Sequence, residues 1–80
     1  MPKIDFSAAI SAEDRLAAEA ARAAAGARKQ RDRLIAASDW TQVADAPVDR
    51  EAWATYRQAL RDITDQDGFP HQIDWPEPPA

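Results

Sequence analysis

The sequence contains no cysteine and only one histidine, His71, among its 80 residues. Without cysteine it has neither disulfide bonds nor thiolate zinc sites. Its three serines also offer no nucleophile with a base beside it: Ser11 suits a helix N-cap and Ser38 a helix stop. We therefore expect neither an enzyme nor a protein that holds a cofactor.

Long apolar runs and an excess of positive charge are also missing. No stretch approaches the roughly 20 apolar residues that cross a bilayer, and the first residues lack the features of a signal peptide. The formal net charge of −4 disfavours nucleic acid and anionic membranes as partners. The basic cluster RKQRDR at 28–33 is interrupted by Asp32 and is typical of a solvated helix face.

Large apolar side chains are scarce, because much of the 45% hydrophobic content is alanine. In so short a chain, the few aromatic rings must supply much of any core. We predict that Trp40 and Trp75 pack against a face formed by Trp53, Tyr56 and Leu60. Leu34 and Ile35 are expected to close the other side.

Residues 11–37, which follow a leader at 1–10, are rich in alanine and charge and predict one long helix. Ser11 is the expected N-cap, acidic residues occupy the first turn, and basic residues gather toward the other end. Within this helix a 4-3-4-3-4 spacing, typical of a heptad seam, is formed by Leu16, Ala20, Ala23, Ala27, Gln30 and Leu34. Two interpretations stay open: a solvent-exposed alanine helix, or a helix that self-associates or clasps a partner.

Residues 38–48 form a connector that Pro47 keeps extended before a second helix. Asp49 is the expected N-cap of that helix, and Asp67-Gly68 its end. Its apolar residues share one face, as in an amphipathic helix: Ala52, Trp53, Tyr56, Ala59, Leu60 and Ile63.

The last residues predict an extended tail. Phe69, His71, Ile73 and Trp75 alternate with other residues as in a strand with one face down, and the closing PEPPA is typical of polyproline. The sequence therefore predicts an all-α helical hairpin, a long N-terminal helix plus a shorter amphipathic one, with the extended Trp-Pro tail packed back onto it.

A calcium loop is the one metal pattern that needs weighing. In residues 63–74, Asp65, Asp67 and Gly68 occupy the third, fifth and sixth positions of such a loop. The first position is Ile63, however, and the last is Asp74 rather than a bidentate glutamate. A polar helix end followed by a turn explains the same residues, and we predict no metal site.

Several ordered motifs indicate a family. They are D-W-T-Q at 39–42, D-A-P-V at 45–48, W-A-x-Y-R-Q-A-L-R-D from Trp53, and the closing I-D-W-P-E-P-P. Over roughly residues 28–79 the chain resembles the small phage tail assembly chaperones. Its W-x-x-Y-R-x-x-L helix and terminal W-P-x-x-P are also similar to the C-terminal region of caudoviral tail fibre assembly proteins.

The resemblance implies a non-enzymatic protein that binds a tail fibre or tail-tip protein, as an assembly chaperone or as an adaptor. It would act in the host cytoplasm during assembly, and either leave or stay in the virion tail. The rival interpretation is a purely structural tail component that forms an oligomer, such as a trimer, through the 16–34 seam. In either case the chain divides into the leader 1–10, the alanine-rich helix 11–37 and the chaperone-like module 38–79.

The family's signature positions carry over to Asp39, Trp40, Pro47, Trp53, Tyr56, Arg57, Leu60, Trp75 and Pro76. We expect most of these to build the small core. The predicted core and motif residues are Leu34, Asp39, Trp40, Pro47, Trp53, Tyr56 and Leu60. Arg57 is expected to stack on Trp53 or to pair with a carboxylate. The candidate partner-binding residues are Arg57, Ile73, Trp75, Pro76, Leu16, Ala20, Ala23 and Ala27.

Overall fold

The computed structural model describes residues 11–79 and shows a helical hairpin. Helix α1 spans Ala12–Ala37, a first 3₁₀ helix spans Asp39–Gln42, helix α2 spans Arg50–Arg61, and a second 3₁₀ helix spans Asp62–Asp65. There is no strand between residues 11 and 79. The prediction of an all-α hairpin is confirmed, whereas the predicted leader lies outside the described residues.

Helix α1 begins where its capping signal predicts. The Ser11 hydroxyl accepts a hydrogen bond from the backbone N–H of Asp14 at 3.0 Å, which satisfies one of the donors left free at a helix start. The bases that gather toward the other end of α1 stop short of its last turn, which contains no basic residue. The cluster at 28–33 lies before that turn, and the positive charge at the helix end comes from elsewhere in the chain.

Helix α2 also begins at its predicted cap but ends earlier than predicted. The Asp49 carboxylate accepts a hydrogen bond from the N–H of Ala52 at 3.1 Å. The helix ends at Arg61, and the chain then tightens into the second 3₁₀ helix, whose Ile63 is fully buried. Such tightening is common at helix C-termini. It turns the chain several residues before Asp67-Gly68.

The core is small and lies where α2 packs against the C-terminal half of α1 and the first 3₁₀ helix. Its buried apolar residues are Ala27, Tyr56, Leu60 and Ile63. Three polar residues, Ser38, Thr41 and Arg57, are buried with them. By contrast, residues 11–19 are all exposed, because α1 has 26 residues and α2 only 12. The first turns of α1 extend beyond the shorter helix.

Residues 66–74 form a closed turn, so the predicted extended conformation is wrong for 69–71. The Gly68 carbonyl accepts hydrogen bonds from the N–H groups of His71 (3.0 Å) and Gln72 (2.8 Å). The side-chain amide of Gln66 then pairs with the backbone of Asp74, through bonds of 2.9 and 2.8 Å. These bonds reverse the chain locally, which an alternating apolar pattern does not indicate.

The aromatic residues of the C-terminal segment are half-buried in two different places. The Phe69 ring lies under the Arg28 guanidinium of α1, at 5.6 Å from the ring centroid. Trp75 and Pro76 line a shallow pocket together with Ala59 and Gln66. The packing of the whole Trp-Pro tail onto the helices stays a prediction.

Candidate partner-binding surface

Arg57 joins the two helices through three hydrogen bonds. Its guanidinium donates to the carbonyl oxygen of Ile35 at 2.7 Å, to Oγ of Ser38 at 2.9 Å, and to Oδ1 of Asp39 at 2.8 Å. Arg57 is only 8% exposed. We call this set of four residues the arginine clasp.

The arginine clasp caps the C-terminus of α1. The last carbonyls of a helix have no partner within the helix, and the negative end of the helix dipole favours a cation there. Since the last turn of α1 has no base of its own, Arg57 supplies both the donors and the charge from 22 residues beyond Ile35. Of the two roles predicted for Arg57, the structure shows the carboxylate pair. The side chain is buried and engaged within the hairpin, and its role as a partner contact stays a prediction.

Ser38 and Thr41 support the clasp from the buried side. The Ser38 hydroxyl lies 3.0 Å from the carbonyl oxygens of both Leu34 and Ile35, to which it can donate while it accepts from Arg57. The Thr41 hydroxyl donates to the Ser38 carbonyl at 2.6 Å. Within residues 11–79, no buried side-chain nitrogen or oxygen is left without a partner. The sequence marks Ser38 only as a helix stop, and its tertiary role has no local signal.

Three residues of the D-W-T-Q motif are held in the hairpin by hydrogen bonds or burial, and the fourth, Trp40, is exposed. Asp39 bonds to Arg57, Thr41 is fully buried, and the Gln42 amide donates to the Arg50 carbonyl at 3.3 Å. Trp40 is 52% exposed. The expectation that Trp40 belongs to the core is therefore wrong: in this 3₁₀ helix Thr41 is the buried residue.

Trp40 rests on a row of aromatic rings. Its centroid lies 6.4 Å from that of half-buried Trp53, and the Trp53 ring meets Tyr56 edge-on at 5.5 Å. Edge-on and tilted arrangements of this kind are favourable beyond the area that they bury. Among residues 11–79, Trp75 pairs with neither of the other tryptophans. Two of the three indoles predicted to cluster therefore meet, and the packing of Trp75 onto the same face stays a prediction.

Val43 extends the exposed apolar surface beside Trp40. It is 51% exposed, and its N–H donates to the Trp40 carbonyl at 3.4 Å, so the two residues lie within one turn. We call Trp40, Val43 and the exposed part of Trp53 the connector patch. Its first two members are among the most exposed large apolar side chains between residues 11 and 79.

The predicted seam of α1 is not one continuous exposed stripe. Leu16 is 64% exposed and Ala20 and Ala23 are half-buried, but Ala27 is buried and Leu34 is half-buried against the hairpin. The most exposed apolar residue of the seam is therefore Leu16, while the polar Gln30 is exposed further along the helix. The remaining partner-binding candidates, Ile73, Trp75 and Pro76, are half-buried near the C-terminus. Pro47, which is expected among the core and motif residues, is exposed in the connector, so its place in the core is wrong.

The described residues contain neither a metal-binding cluster nor a helix suited to cross a membrane. Between residues 11 and 79, no three or more histidine, aspartate or glutamate side chains are grouped so as to hold a metal ion. Neither helix in this range is long and apolar enough to cross a membrane.

One known protein family covers most of the chain. The family model described as phage tail assembly chaperone protein matches residues 24–80. The chain belongs to this family. The match contains the arginine clasp, the connector patch and all of α2, and it begins four residues before the stretch on which the resemblance rests. No curated protein and no solved structure matches the chain.

Membership of the tail assembly chaperones gives the protein a role in building a phage tail, through interaction with a tail protein. The family match starts at Ala24, close to the point where α1 enters the hairpin. The exposed first turns of α1, residues 12–19, lie outside the match. The shared part of the chaperone is therefore the hairpin and its C-terminal segment.

Proposed function

We propose that this chaperone binds a tail fibre or tail-tip protein during tail assembly, and that it does so as a binding protein without catalysing a reaction. It acts in the host cytoplasm, as a transient chaperone or as an adaptor. The observation that carries the proposal is the family match over residues 24–80, which contains the C-terminal half of α1, the connector and all of α2.

The hydrogen bonds of the buried polar residues in the hairpin support a binding role. The buried polar side chains of the hairpin are Arg57, Ser38 and Thr41. Their hydrogen bonds hold α1, α2 and the connector together. Such groups build a scaffold rather than a reactive centre. The exposed large apolar side chains of the connector patch, Trp40 and Val43, are available to a partner.

Affinity purification tests the proposal. The full chain, carrying a tag, is expressed in cells that are assembling the phage that encodes it, and the proteins retained are identified by mass spectrometry. We expect a tail fibre or tail-tip protein to be retained in stoichiometric amount. Leu60→Ala, which opens the fully buried core, should lose that partner. Retention of no tail protein by the folded wild-type chain would overturn the proposal.

The proposal allows two fates after assembly, and purified virions distinguish them. An adaptor that stays in the tail is expected in virions at a fixed ratio to the fibre or tip protein. A transient chaperone is expected in lysates of assembling cells and not in virions.

A second candidate function is that of a structural tail component that self-associates, for example as a trimer, through α1. The exposure of Leu16 in the unpartnered first turns of α1 favours it. Light scattering on the purified full chain separates the two: a stable trimer that Leu16→Ser dissociates supports the structural component. A monomer supports the chaperone.

A further inference from the structure

The connector patch is held in place before any partner arrives. The residues around Trp40 and Val43 are anchored: Asp39 to Arg57, Thr41 in the core, and Gln42 to the Arg50 carbonyl. Trp40 itself rests on Trp53. Ordering side chains and loops is a main cost of association, and a surface ordered in advance avoids much of it. An exposed tryptophan on a rigid base is typical of a binding hot spot.

The segment that carries the connector patch is acidic. Residues 38–79 contain nine aspartate or glutamate residues and three arginines, a formal net charge of −6, whereas residues 12–37 carry +2. Of those arginines, Arg57 is buried in the clasp. Asp45 lies in the turn closed by the hydrogen bond from the Ala46 N–H to the Val43 carbonyl (3.2 Å), and both Asp45 and Asp49 are exposed. A rim of this sign favours a basic partner and disfavours an acidic one.

We propose that the connector patch docks a segment of the tail partner in which a bulky apolar side chain is flanked by lysine or arginine. The inference rests on the proposed function, because it names the surface and the chemistry by which the tail protein is bound. The apolar side chain covers Trp40 and Val43, and the flanking bases face Asp45 and Asp49. A second copy of this chain is the competing occupant, since α1 is also basic and exposes Leu16.

Site-specific photo-crosslinking in assembling cells tests the occupant. Val43 is replaced by p-benzoylphenylalanine in the full chain, and the same residue at Gln72 serves as a control at an exposed position outside the patch. We expect position 43, and not position 72, to crosslink to a tail fibre or tail-tip protein. Mass spectrometry should map the crosslink to an apolar segment with neighbouring lysine or arginine.

Each other crosslinking result has a defined meaning. A crosslink from position 43 to an acidic segment, or to a second copy of the chain, overturns the proposal. A tail-protein crosslink from position 72 alone overturns the docking surface but leaves the proposed function standing. No crosslink from either position overturns the docking surface. If the affinity purification also retains no tail protein, the proposed function is overturned as well.

Binding measurements with the captured tail protein then test the apolar contact at Val43 and the charge contact at Asp45. Val43→Ser should weaken binding about tenfold, and Asp45→Lys about threefold at low salt, with the second effect shrinking as salt is raised. Asp67→Lys is the matched control, because it changes the net charge equally at an exposed site in the C-terminal turn. Equal affinities for Asp45→Lys and Asp67→Lys, or a Val43→Ser variant that binds like wild type, would contradict the proposed surface. Circular dichroism verifies that each variant is folded.

Discussion

The guanidinium of Arg57 donates to the Ile35 carbonyl oxygen at 2.7 Å, which places a side chain of α2 at the last turn of α1. This contact explains how a hairpin with few large apolar residues holds its helices together. One buried side chain satisfies the end of α1 and pairs with Asp39, and it also bonds to Ser38. The same side chain therefore positions the connector from which Trp40 projects.

Arg57→Ala is expected to destabilise the hairpin by about 2–3 kcal/mol, because the buried end of α1 and the Ser38 hydroxyl lose their donor. Arg57→Lys should recover only part of this loss, since an ammonium cannot reproduce the planar fork. Chemical denaturation followed by circular dichroism measures both. Arg61→Ala, which removes an exposed arginine of the same helix, is the control. Equal midpoints for Arg57→Ala and Arg61→Ala would show that the clasp is not needed.

Leu60→Ala should cost about 2–5 kcal/mol, because Leu60 is fully buried and truncation leaves a cavity. Leu16→Ala makes the same chemical change at a side chain that is 64% exposed, and we expect less than about 0.5 kcal/mol there. Thermal and urea unfolding compare the two. A large effect at Leu16 in a dilute sample would indicate that α1 is covered by another chain.

Gly68→Ala should loosen the C-terminal turn, because a Cβ at this position would lie 2.6 Å from the Gln72 carbonyl oxygen. We expect faster hydrogen exchange at the amides of Gln72 and Asp74, whose bonds depend on that turn. Gly26→Ala is the opposite case, since nothing lies within 4 Å of its added Cβ. That change should stabilise α1 by about 0.5–1 kcal/mol. Unchanged exchange in Gly68→Ala would contradict the close approach.

Iodide quenching of tryptophan fluorescence should find Trp40 the most accessible of the three indoles. Trp40 is 52% exposed, whereas Trp53 and Trp75 are half-buried in different places. Trp40→Phe should therefore remove the most quenchable component of the emission. If quenching per remaining tryptophan is unchanged in this variant, Trp40 is covered in solution. Circular dichroism on the same samples verifies that the helices persist.

Most of the helical framework could be predicted because its signals are local. The caps at Ser11 and Asp49 act over three residues, and both helices begin where those side chains meet the first free N–H groups. The apolar face of α2 is likewise a matter of spacing, and Tyr56, Leu60 and Ile63 are buried. The motifs of residues 28–79 were sufficient to indicate the family.

The candidate site was harder to predict, because its geometry depends on residues far apart in the chain. Trp40 and Thr41 are neighbours in one motif, and nothing local distinguishes the exposed one from the buried one. A tryptophan in a chain poor in large apolar residues is a reasonable core residue. Arg57 needs Ile35 and Ser38, 22 and 19 positions away, before its burial is favourable.

By itself, the sequence determined the helices, their starting caps, the absence of disulfides and the family, since each depends on composition or on residues within a turn of one another. Only the tertiary structure decided which residues of the connector are buried and that Arg57 of α2 is buried with them. When α2 packs against α1, the free carbonyls at the end of α1 need a donor, and Arg57 is the side chain that reaches them. The other two hydrogen bonds of Arg57 hold Ser38 and Asp39 against α2, and Trp40 and Val43 remain exposed to solvent.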